Sequence, residues 1–211
     1  MIQFSVQTST IGGFDVIAAR DHSPKFTPEE YFAWEEQQLH RHEYIDGEVY
    51  AMTGGTLNHG RIALNFTSLL KIHLRGGGCQ LGNSDCRVNI HASNHYVYPD
   101  VSVTCDERDK TKTQYITHPC LIIEVLSPST ESYDRGNKFK LYRRNPVLQE
   151  YVLVDAETMA IEIFRKTDEN KWQIIDHEPG DTVELASVNL TFPIEQVYED
   201  IVFAPESIAE S

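Results

Sequence analysis

Two apolar stretches, Val97-Tyr98-Pro99-Asp100-Val101-Ser102-Val103 and Cys120-Leu121-Ile122-Ile123-Glu124-Val125-Leu126, decide the fold that we predict for this chain. Each has the composition of a buried strand, and each is interrupted by one acid. Burying an ionised carboxylate costs several kcal/mol unless a partner charge, hydrogen bonds or a metal ion compensates it. Asp100 and Glu124 therefore need a common explanation.

A shared metal ion is the first explanation for these two acids. Consecutive strands are neighbours in most sheets, so the two carboxylates are expected to converge. Oxygen ligands of this kind suit Mg²⁺ or Mn²⁺. Each acid also has a purely structural alternative: Asp100 as a strand-end acid that accepts backbone hydrogen bonds after Pro99, and Glu124 as the partner of a nearby lysine. Each structural alternative is plausible alone, but both would have to hold at once to explain the two acids, so the shared metal site is favoured.

The segment after Glu124 is predicted to be a helix that carries further polar groups. Residues 127–130 (Ser-Pro-Ser-Thr) supply turn and capping chemistry, and Pro146 ends the helix at about Asn145. Asp134, Lys138 and Tyr142 follow at i, i+4 and i+8 and so share one face. Two interpretations stay open: an Asp134–Lys138 ion pair beside a packed tyrosine, or a Lys138 that points at the metal site.

The rest of the chain predicts an α/β protein with a mixed central sheet flanked by helices. Thr27-Pro28-Glu29-Glu30 opens a helix that runs to about His42, and Asp46-Gly47 marks a hairpin within residues 43–52. Apolar residues at helical spacing predict a second helix from Leu57 to Leu74. The strands are expected at residues 85–90, 96–104, 120–126 and 150–155, followed by short meander strands at 160–164, 172–176 and 182–185.

We expect one domain over residues 1–211, with a core at about 26–155, an extension at 1–23 and C-terminal strands at 156–211. The polar linker at 106–117 is expected to be an exposed excursion. No apolar run approaches the roughly 20 residues that span a bilayer. The first residues also lack the pattern of a secretory signal, so we expect a cytoplasmic protein without a membrane partner.

The charge distribution limits the nucleic-acid partners that we expect. The formal charge of −14 argues against a protein that coats nucleic acid generally. The acidity is concentrated in residues 155–211, which hold 14 acids and 3 bases. Residues 134–145 instead hold five bases and one acid, and a phosphate backbone is expected to approach there. The five bases are Arg135, Lys138, Lys140, Arg143 and Arg144.

The four cysteines do not predict a zinc site. Cys79, Cys86, Cys105 and Cys120 are 7, 19 and 15 residues apart and form no Cys-x-x-Cys pair. Cys105 and Cys120 lie at the ends of apolar strands, where free thiols serve as small hydrophobic groups. The histidines that could join them, His91, His95 and His118, are better explained as scattered surface or loop residues.

Two further residues are candidates for the site. His59 precedes Ile62 and Phe66 by three and seven residues, so it lies at the apolar edge of its helix. Spacing alone favours a hydrogen-bonded histidine at the edge of the core over a site residue. Glu48 lies in the hairpin. A weaker hypothesis combines Glu48, His59 and Glu124 as acid–base groups of a small-molecule enzyme, which requires a closed pocket too narrow for a phosphodiester backbone.

Several of these residues together resemble a known family. Pro99-Asp100, the run Glu124-Val125-Leu126-Ser127-Pro128-Ser129-Thr130, and then Asp134 and Lys138 are similar to the Uma-type restriction endonuclease family, a branch of the PD-(D/E)XK nuclease superfamily. The resemblance covers residues 26–155 and includes Ile45-Asp46-Gly47-Glu48 and His59. The Glu-Val-Leu-Ser-Pro-Ser-Thr run is its specific part, since Pro-Asp alone is a weak signal.

The resemblance implies a restriction-endonuclease-like fold with the core order helix, three strands, helix, strand. In that superfamily the acids hold a divalent metal, which activates water for attack on a phosphodiester. Asp100 and Glu124 correspond to those acids, and the Val125 carbonyl corresponds to a further ligand. The expected function is therefore a Mg²⁺- or Mn²⁺-dependent endonuclease that cleaves DNA, with Lys138 as the electrophilic or water-positioning group and Tyr142, His59 and Glu48 as secondary candidates.

One position departs from the superfamily pattern. The superfamily lysine lies two residues after the second acid, where this chain has Leu126. Either Lys138 replaces it from the following helix, or the chain is a degenerate member that binds nucleic acid or protein without cleaving. Cutting both strands with one site per chain would suit a homodimer.

Overall fold

The computed structural model describes residues 25–52, 54–90, 95–128 and 130–203. The predicted extension at 1–23 and the candidate His91 lie outside these ranges. Twelve strands lie in the described part of the chain: β1 His42–Ile45, β2 Glu48–Ala51, β3 Gln80–Asn83, β4 Val88–Asn89, β5 His95–Val97, β6 Val101–Thr104, β7 Leu121–Val125, β8 Glu150–Val154, β9 Ile161–Lys166, β10 Trp172–His177, β11 Thr182–Leu185 and β12 Leu190–Pro193. The α-helices there are α1 Pro28–Glu35, α2 Leu57–His73, α3 Glu131–Tyr133 and α4 Phe139–Tyr142, with a π-helical segment Asp134–Lys138 between the last two.

A mixed six-stranded sheet forms the centre of the fold, in the order β10-β9-β8-β7-β6-β3. Strands β7 and β8 are parallel, and the other neighbours are antiparallel. The predicted α/β class with a mixed sheet is thus confirmed. A four-stranded sheet β2-β1-β5-β4 and the hairpin β11-β12 complete the strand pairing.

Helices cover both faces of the central sheet. On one face α2 buries Ile62, Phe66 and Leu70 against the alternate residues of β6 and β7 that point the same way. On the other face Phe139 and Tyr142 of α4 pack with Ile122 of β7 and with aromatic residues of β8 and β9. Burying such side chains supplies roughly 1.5–3 kcal/mol each, which holds the helices that carry polar residues against the sheet. Among the described residues, no helix is long and apolar enough to cross a membrane.

The local signals at the first helix and hairpin are found where they were predicted. Thr27 caps α1 in a capping box with Glu30, but α1 ends at Glu35 instead of near His42. The chain turns there because the Glu35 carboxylate accepts hydrogen bonds from both the backbone N–H and the ring Nδ1 of His42. Asp46 and Gly47 adopt the positive φ angles, 51° and 95°, that a tight hairpin turn requires.

The strands before Glu124 differ from the prediction. Predicted strand 96–104 is two strands in different sheets, because Pro99 cannot donate a ladder hydrogen bond and the chain turns around it. Predicted strand 85–90 is reduced to β4, which also lies in the four-stranded sheet. The central sheet instead takes β3 as its edge strand, a polar segment (Gln-Leu-Gly-Asn) that has no apolar alternation.

Two further expectations are wrong. Cys105 is not a free thiol, because it forms a disulfide with Cys79 that ties the start of β3 to the end of β6, whereas Cys120 is free. The linker 106–117 is not simply an exposed excursion, since Asp109 is buried within it. Its carboxylate accepts hydrogen bonds from the Thr104 hydroxyl and from the backbone of Thr117 and His118.

Candidate functional site

The strand register brings the two interrupting acids together. Val101 of β6 pairs with Ile123 of β7 in an antiparallel ladder. One step further along the same register, Asp100 is opposite Glu124. The adjacency expected from their order in the chain is therefore present where β6 begins.

Glu124 lies at the centre of a buried polar network. It points to the same face of the sheet as Ile122, towards α4, and is only 3% exposed. Lys138 Nζ lies 3.0 Å from Glu124 Oε1, and the Tyr142 hydroxyl donates to the same oxygen at 3.2 Å. Lys138 from the helical segment thus reaches the second acid, although Leu126 occupies the superfamily lysine position and is buried among apolar residues.

Glu43 of β1 is a site residue that the sequence reasoning missed. Its Oε1 lies 3.2 Å from Lys138 Nζ and accepts a hydrogen bond from the Tyr98 backbone N–H. Glu43 is 8% exposed. The available signal was the one used for Asp100 and Glu124, namely an acid inside a short strand, but it was not applied to the hairpin at residues 43–52.

The π-helical segment sets the position of Lys138. Asp134 Oδ1 lies 3.6 Å from Lys138 Nζ, so the predicted pairing of these two residues exists alongside the pairing with Glu124. The Tyr151 hydroxyl of β8 donates to the Asp134 backbone carbonyl and fixes this segment against the sheet. Short π-helical turns often mark functional positions, because the extra residue in the turn redirects side chains.

Asp100 belongs to a second, adjoining part of the network. Its Oδ2 accepts a hydrogen bond from the Val125 backbone N–H at 2.8 Å and lies 3.3 Å from His59 Nε2. His59 also hydrogen-bonds with the Val125 backbone. His59 is presented from the first turn of α2, where its own N–H is bound by the cap residue Thr56.

The site contains more carboxyl groups than cationic groups at its floor. Burial raises the pKa of Glu124 well above its usual value, and the Asp134, Asp100 and Glu43 carboxylates raise it further, against the opposing charge of Lys138. Burial alone would lower the pKa of Lys138, but Glu124 and Glu43 hold it well above the usual value. The Lys138 ammonium therefore stays charged while facing several carboxylates.

Two opposing effects also act on the pKa of His59. Burial would lower the pKa of its imidazole, but the hydrogen bond and the charge of Asp100 raise it above the usual value. A protonated imidazole beside Asp100 partly offsets the charge of that acid.

A cavity of about 740 Å³ contains both parts of the network. All four acids line it, together with Lys138 and His59. Its walls include Tyr50, Tyr98, Tyr133, Ile45 and Met52. The Tyr133 hydroxyl is buried and has no hydrogen-bond partner among the described residues. Nothing in the sequence pattern pointed to Tyr133.

The structure does not bring every predicted residue to this cavity. Glu48 is exposed, hydrogen-bonds with the Tyr50 hydroxyl and is absent from the cavity lining among the described residues. Of the five predicted phosphate-binding bases, Lys140 and Arg144 join Lys138 in lining the cavity. Arg135 is held in ion pairs with Glu131 and Glu162, and Arg143 lies over the Phe139 ring.

The oxygen donors at the site suit a hard divalent cation. Asp100 and Glu124 each engage one carboxylate oxygen in the contacts above and have a second one, and the Val125 carbonyl is adjacent in sequence. Mg²⁺ is usually held by one or two carboxylates and keeps several waters, so this donor set fits it. Within the described residues, no three His, Cys, Asp or Glu side chains form a ready-made metal cluster.

The fold and the buried acid–lysine network define a protein of the nuclease-fold class. A crystal structure described as "a putative nuclease belonging to DUF820 from Anabaena variabilis" matches it with a TM-score of 0.66 at 19% identity. That match covers 82% of this chain and 97% of the other. At this sequence identity the match shows that the two proteins share a fold.

Sequence comparison assigns the chain to a family. Residues 28–195 match the Uma2 family, described as "Putative restriction endonuclease", and the chain belongs to this family. The uncharacterized protein slr1290 of Synechocystis sp. is 49% identical over 180 residues, which cover 85% of this chain and 95% of that protein. A second uncharacterized Synechocystis protein, sll1609, is 36% identical over 152 residues, or 71% of this chain and 86% of its own length. Family membership indicates a nuclease as the class of function.

Proposed function

We propose that the protein is a divalent-metal-dependent nuclease that hydrolyses phosphodiester bonds of DNA. The observation that carries this proposal is a single cavity lined by four carboxylates, Glu43, Asp100, Glu124 and Asp134, three of which lie within 3.6 Å of one buried lysine. A purely structural ion pair needs one acid for one lysine. The surplus carboxyl groups are ligands that a divalent cation would hold in the ionised form, and restriction-endonuclease-like proteins generally use such ions.

Asp100, Glu124 and the Val125 carbonyl are the groups that would hold the ion. When bound, a divalent cation lowers the pKa of water and neutralises charge on a phosphoryl group. In hydrolysis the oxygen of water forms a new bond to phosphorus, one P–O ester bond breaks, and the departing oxygen takes up a proton.

The residues of the chain itself supply orientation and charge. Tyr142 donates to Glu124 and holds that carboxylate in place, and His59 does the same for Asp100. The Lys138 ammonium provides a fixed positive charge beside Glu124, suited to stabilising negative charge that develops on the phosphoryl oxygens. Glu43 and Asp134 keep this ammonium oriented.

The shape of the cavity argues against the small-molecule enzyme. That hypothesis combined Glu48, His59 and Glu124 and required a closed, narrow pocket. Exposed residues Lys140 and Arg144 line the cavity, so it reaches the surface. Glu48 points elsewhere and binds Tyr50.

The second candidate is a degenerate family member that binds without cleaving. Two observations favour it: Leu126 is buried in place of the superfamily lysine, and both acids have structural partners in Lys138 and the Val125 N–H. The two candidates differ in one measurable respect, since only the nuclease breaks a phosphodiester bond.

The test is cleavage of supercoiled plasmid and of circular single-stranded DNA with Mg²⁺, with Mn²⁺ or with EDTA. We expect cleavage with either metal, none with EDTA, and at least a 100-fold loss in Asp100→Ala. Asp168→Ala, which alters an exposed acid outside the cavity, is the matched control and should cleave like the wild type. Cleavage that persists in EDTA or in Asp100→Ala would sink the proposal, and absence of cleavage under every condition favours the degenerate member.

A further inference from the structure

The reactive groups lie at the floor of the cavity and not on an open surface. Glu124 and Lys138 are 3% and 6% exposed, and the Asp100 side chain is 15% exposed. A phosphodiester in an intact duplex is held in a stiff, base-paired backbone. A single strand, or a nucleotide drawn out of the duplex as in enzymes that act on a base, enters such a pocket more readily than an intact duplex does.

The cavity and a neighbouring depression together form a cleft around Asp100. A second depression of about 800 Å³ adjoins the cavity and shares His59, Tyr98 and Asp100 with it. The two depressions therefore extend in different directions from the Asp100 end of the site. A strand could enter by one and leave by the other, with the reacting phosphate at the junction.

The cavity walls resemble a platform for unpaired bases. Tyr50 is 48% exposed at the cavity wall, and Tyr98, Tyr133, Ile45 and Met52 continue the apolar lining. In a duplex the base faces are stacked on each other and unavailable, whereas those of a single strand are free to stack on aromatic side chains. Stacking of this kind is the usual source of affinity for single strands and tolerates any base.

The positive charge beside the cleft is too small for duplex binding by phosphate contacts alone. Lys140 and Arg144 are exposed and line the cavity, whereas Arg135 is engaged by Glu131 and Glu162. Proteins that hold a duplex electrostatically make about 6–10 phosphate contacts. In the adjoining depression, Arg41 is paired with Asp85 and Arg87 donates to the Tyr98 hydroxyl. A chain of net charge −14 that leaves only Lys140 and Arg144 unengaged among the arginines and lysines described at its cleft must gain affinity in another way.

We propose that the site takes a single-stranded or locally unpaired segment of polynucleotide. Bases stack against Tyr50 and its apolar neighbours, and Lys140 and Arg144 contact the backbone. This inference rests on the proposed nuclease function, whose substrate class it narrows.

The experiment compares binding of one fluorescent oligonucleotide, single-stranded and annealed to its complement, by anisotropy in EDTA. We expect the single strand to bind at least tenfold more tightly than the duplex. For two phosphate contacts on a single strand, the logarithm of the association constant should fall against the logarithm of salt concentration with a slope of about −1.4. Equal or tighter binding of the duplex, or no binding of either form, contradicts the inference.

Matched variants separate stacking and charge from general damage. Tyr50→Ala should weaken single-strand binding roughly tenfold, whereas Tyr50→Phe keeps the ring and should bind like the wild type. Lys140→Ala should weaken binding and make the salt slope less negative. Lys171 is an exposed lysine outside the cavity, and Lys171→Ala should have neither effect. If Tyr50→Ala binds as well as Tyr50→Phe, the stacking role is wrong.

Cleavage and binding results distinguish the inference from the function on which it rests. Metal-dependent cleavage of duplex and single strand at equal rates supports the nuclease and overturns the inference. Preferential binding of the single strand without any cleavage supports the inference and overturns the nuclease.

Discussion

At the scale of single residues, Lys138 is the cation that three carboxylates share. Replacing it with the similarly sized Met leaves Glu43, Glu124 and Asp134 buried together without a positive charge. We expect Lys138→Met to lower the free energy of unfolding by about 3–5 kcal/mol in metal-free urea denaturation. Lys140→Met, at an exposed position, should change it by less than about 0.5 kcal/mol.

Addition of Mn²⁺ to the same unfolding experiment examines the metal site. An ion that binds only the folded protein stabilises it by mass action, and in Lys138→Met it also replaces the missing charge. Mn²⁺ should therefore stabilise Lys138→Met more than it stabilises the wild type. Equal stabilisation of the two proteins would count against a metal ion held by these carboxylates.

Replacing Tyr133 is expected to raise the free energy of unfolding, in contrast to replacing Lys138. Its buried hydroxyl lacks a partner among the described residues, so Tyr133→Phe removes an unsatisfied polar group. We expect the free energy of unfolding to rise by about 1 kcal/mol. Tyr198→Phe is the contrast, because the Tyr198 hydroxyl accepts from the Ala160 N–H and lies 2.9 Å from the Asp155 carbonyl, and its loss should destabilise. A clear loss of stability in Tyr133→Phe would mean that the hydroxyl has a partner in solution.

At the scale of elements, the cap of α2 determines how His59 is presented. The Thr56 hydroxyl accepts a hydrogen bond from the His59 N–H. Thr56→Ala should lower the free energy of unfolding by about 1 kcal/mol and reduce cleavage, whereas Thr56→Ser retains the cap and should preserve both. Thermal unfolding and the plasmid assay measure the two effects, and an unchanged stability in Thr56→Ala would contradict the role of the cap.

The Cys79–Cys105 disulfide joins two strands of the central sheet. Cys79 and Cys105 are separated by 26 residues, and closing a loop of that size stabilises by about 3.5 kcal/mol in the chain-entropy account. Reduction with dithiothreitol should lower the wild-type free energy of unfolding by about that amount. Cys79→Ser should lose this sensitivity to the reductant, and Cys86→Ser, at a free cysteine, should keep it.

At the scale of the whole molecule, periodicity and caps predicted much of the fold. Thr27, Asp46-Gly47 and the α2 stripe of Ile62, Phe66 and Leu70 carry local signals that the structure confirms. Strand β3 was missed because an edge strand needs no apolar alternation. The division of the predicted strand at Pro99 depends on which sheet each half joins, and that is a non-local property.

The site was predictable only in part for the same reason. Asp100, Glu124 and Lys138 stood out because acids inside apolar strands and a helical i, i+4 spacing are visible in one segment. Glu43 was missed, because an acid in a short strand does not by itself reveal a contact with Lys138, which is 95 positions away in the sequence. The homodimer and the cytoplasmic location stay predictions. The homodimer was expected for cutting both strands of a duplex, whereas a single-stranded substrate would need only one site.

The most direct measurement of the central claim is the cleavage rate of Glu124→Gln beside that of the wild type in Mn²⁺. The amide keeps the size of the side chain and can still accept from Tyr142, so the fold should persist by circular dichroism. The change removes the negative charge that the metal and Lys138 require. We predict a rate at least 100-fold below that of the wild type, and a folded Glu124→Gln that cleaves within a few-fold of the wild type would contradict the account.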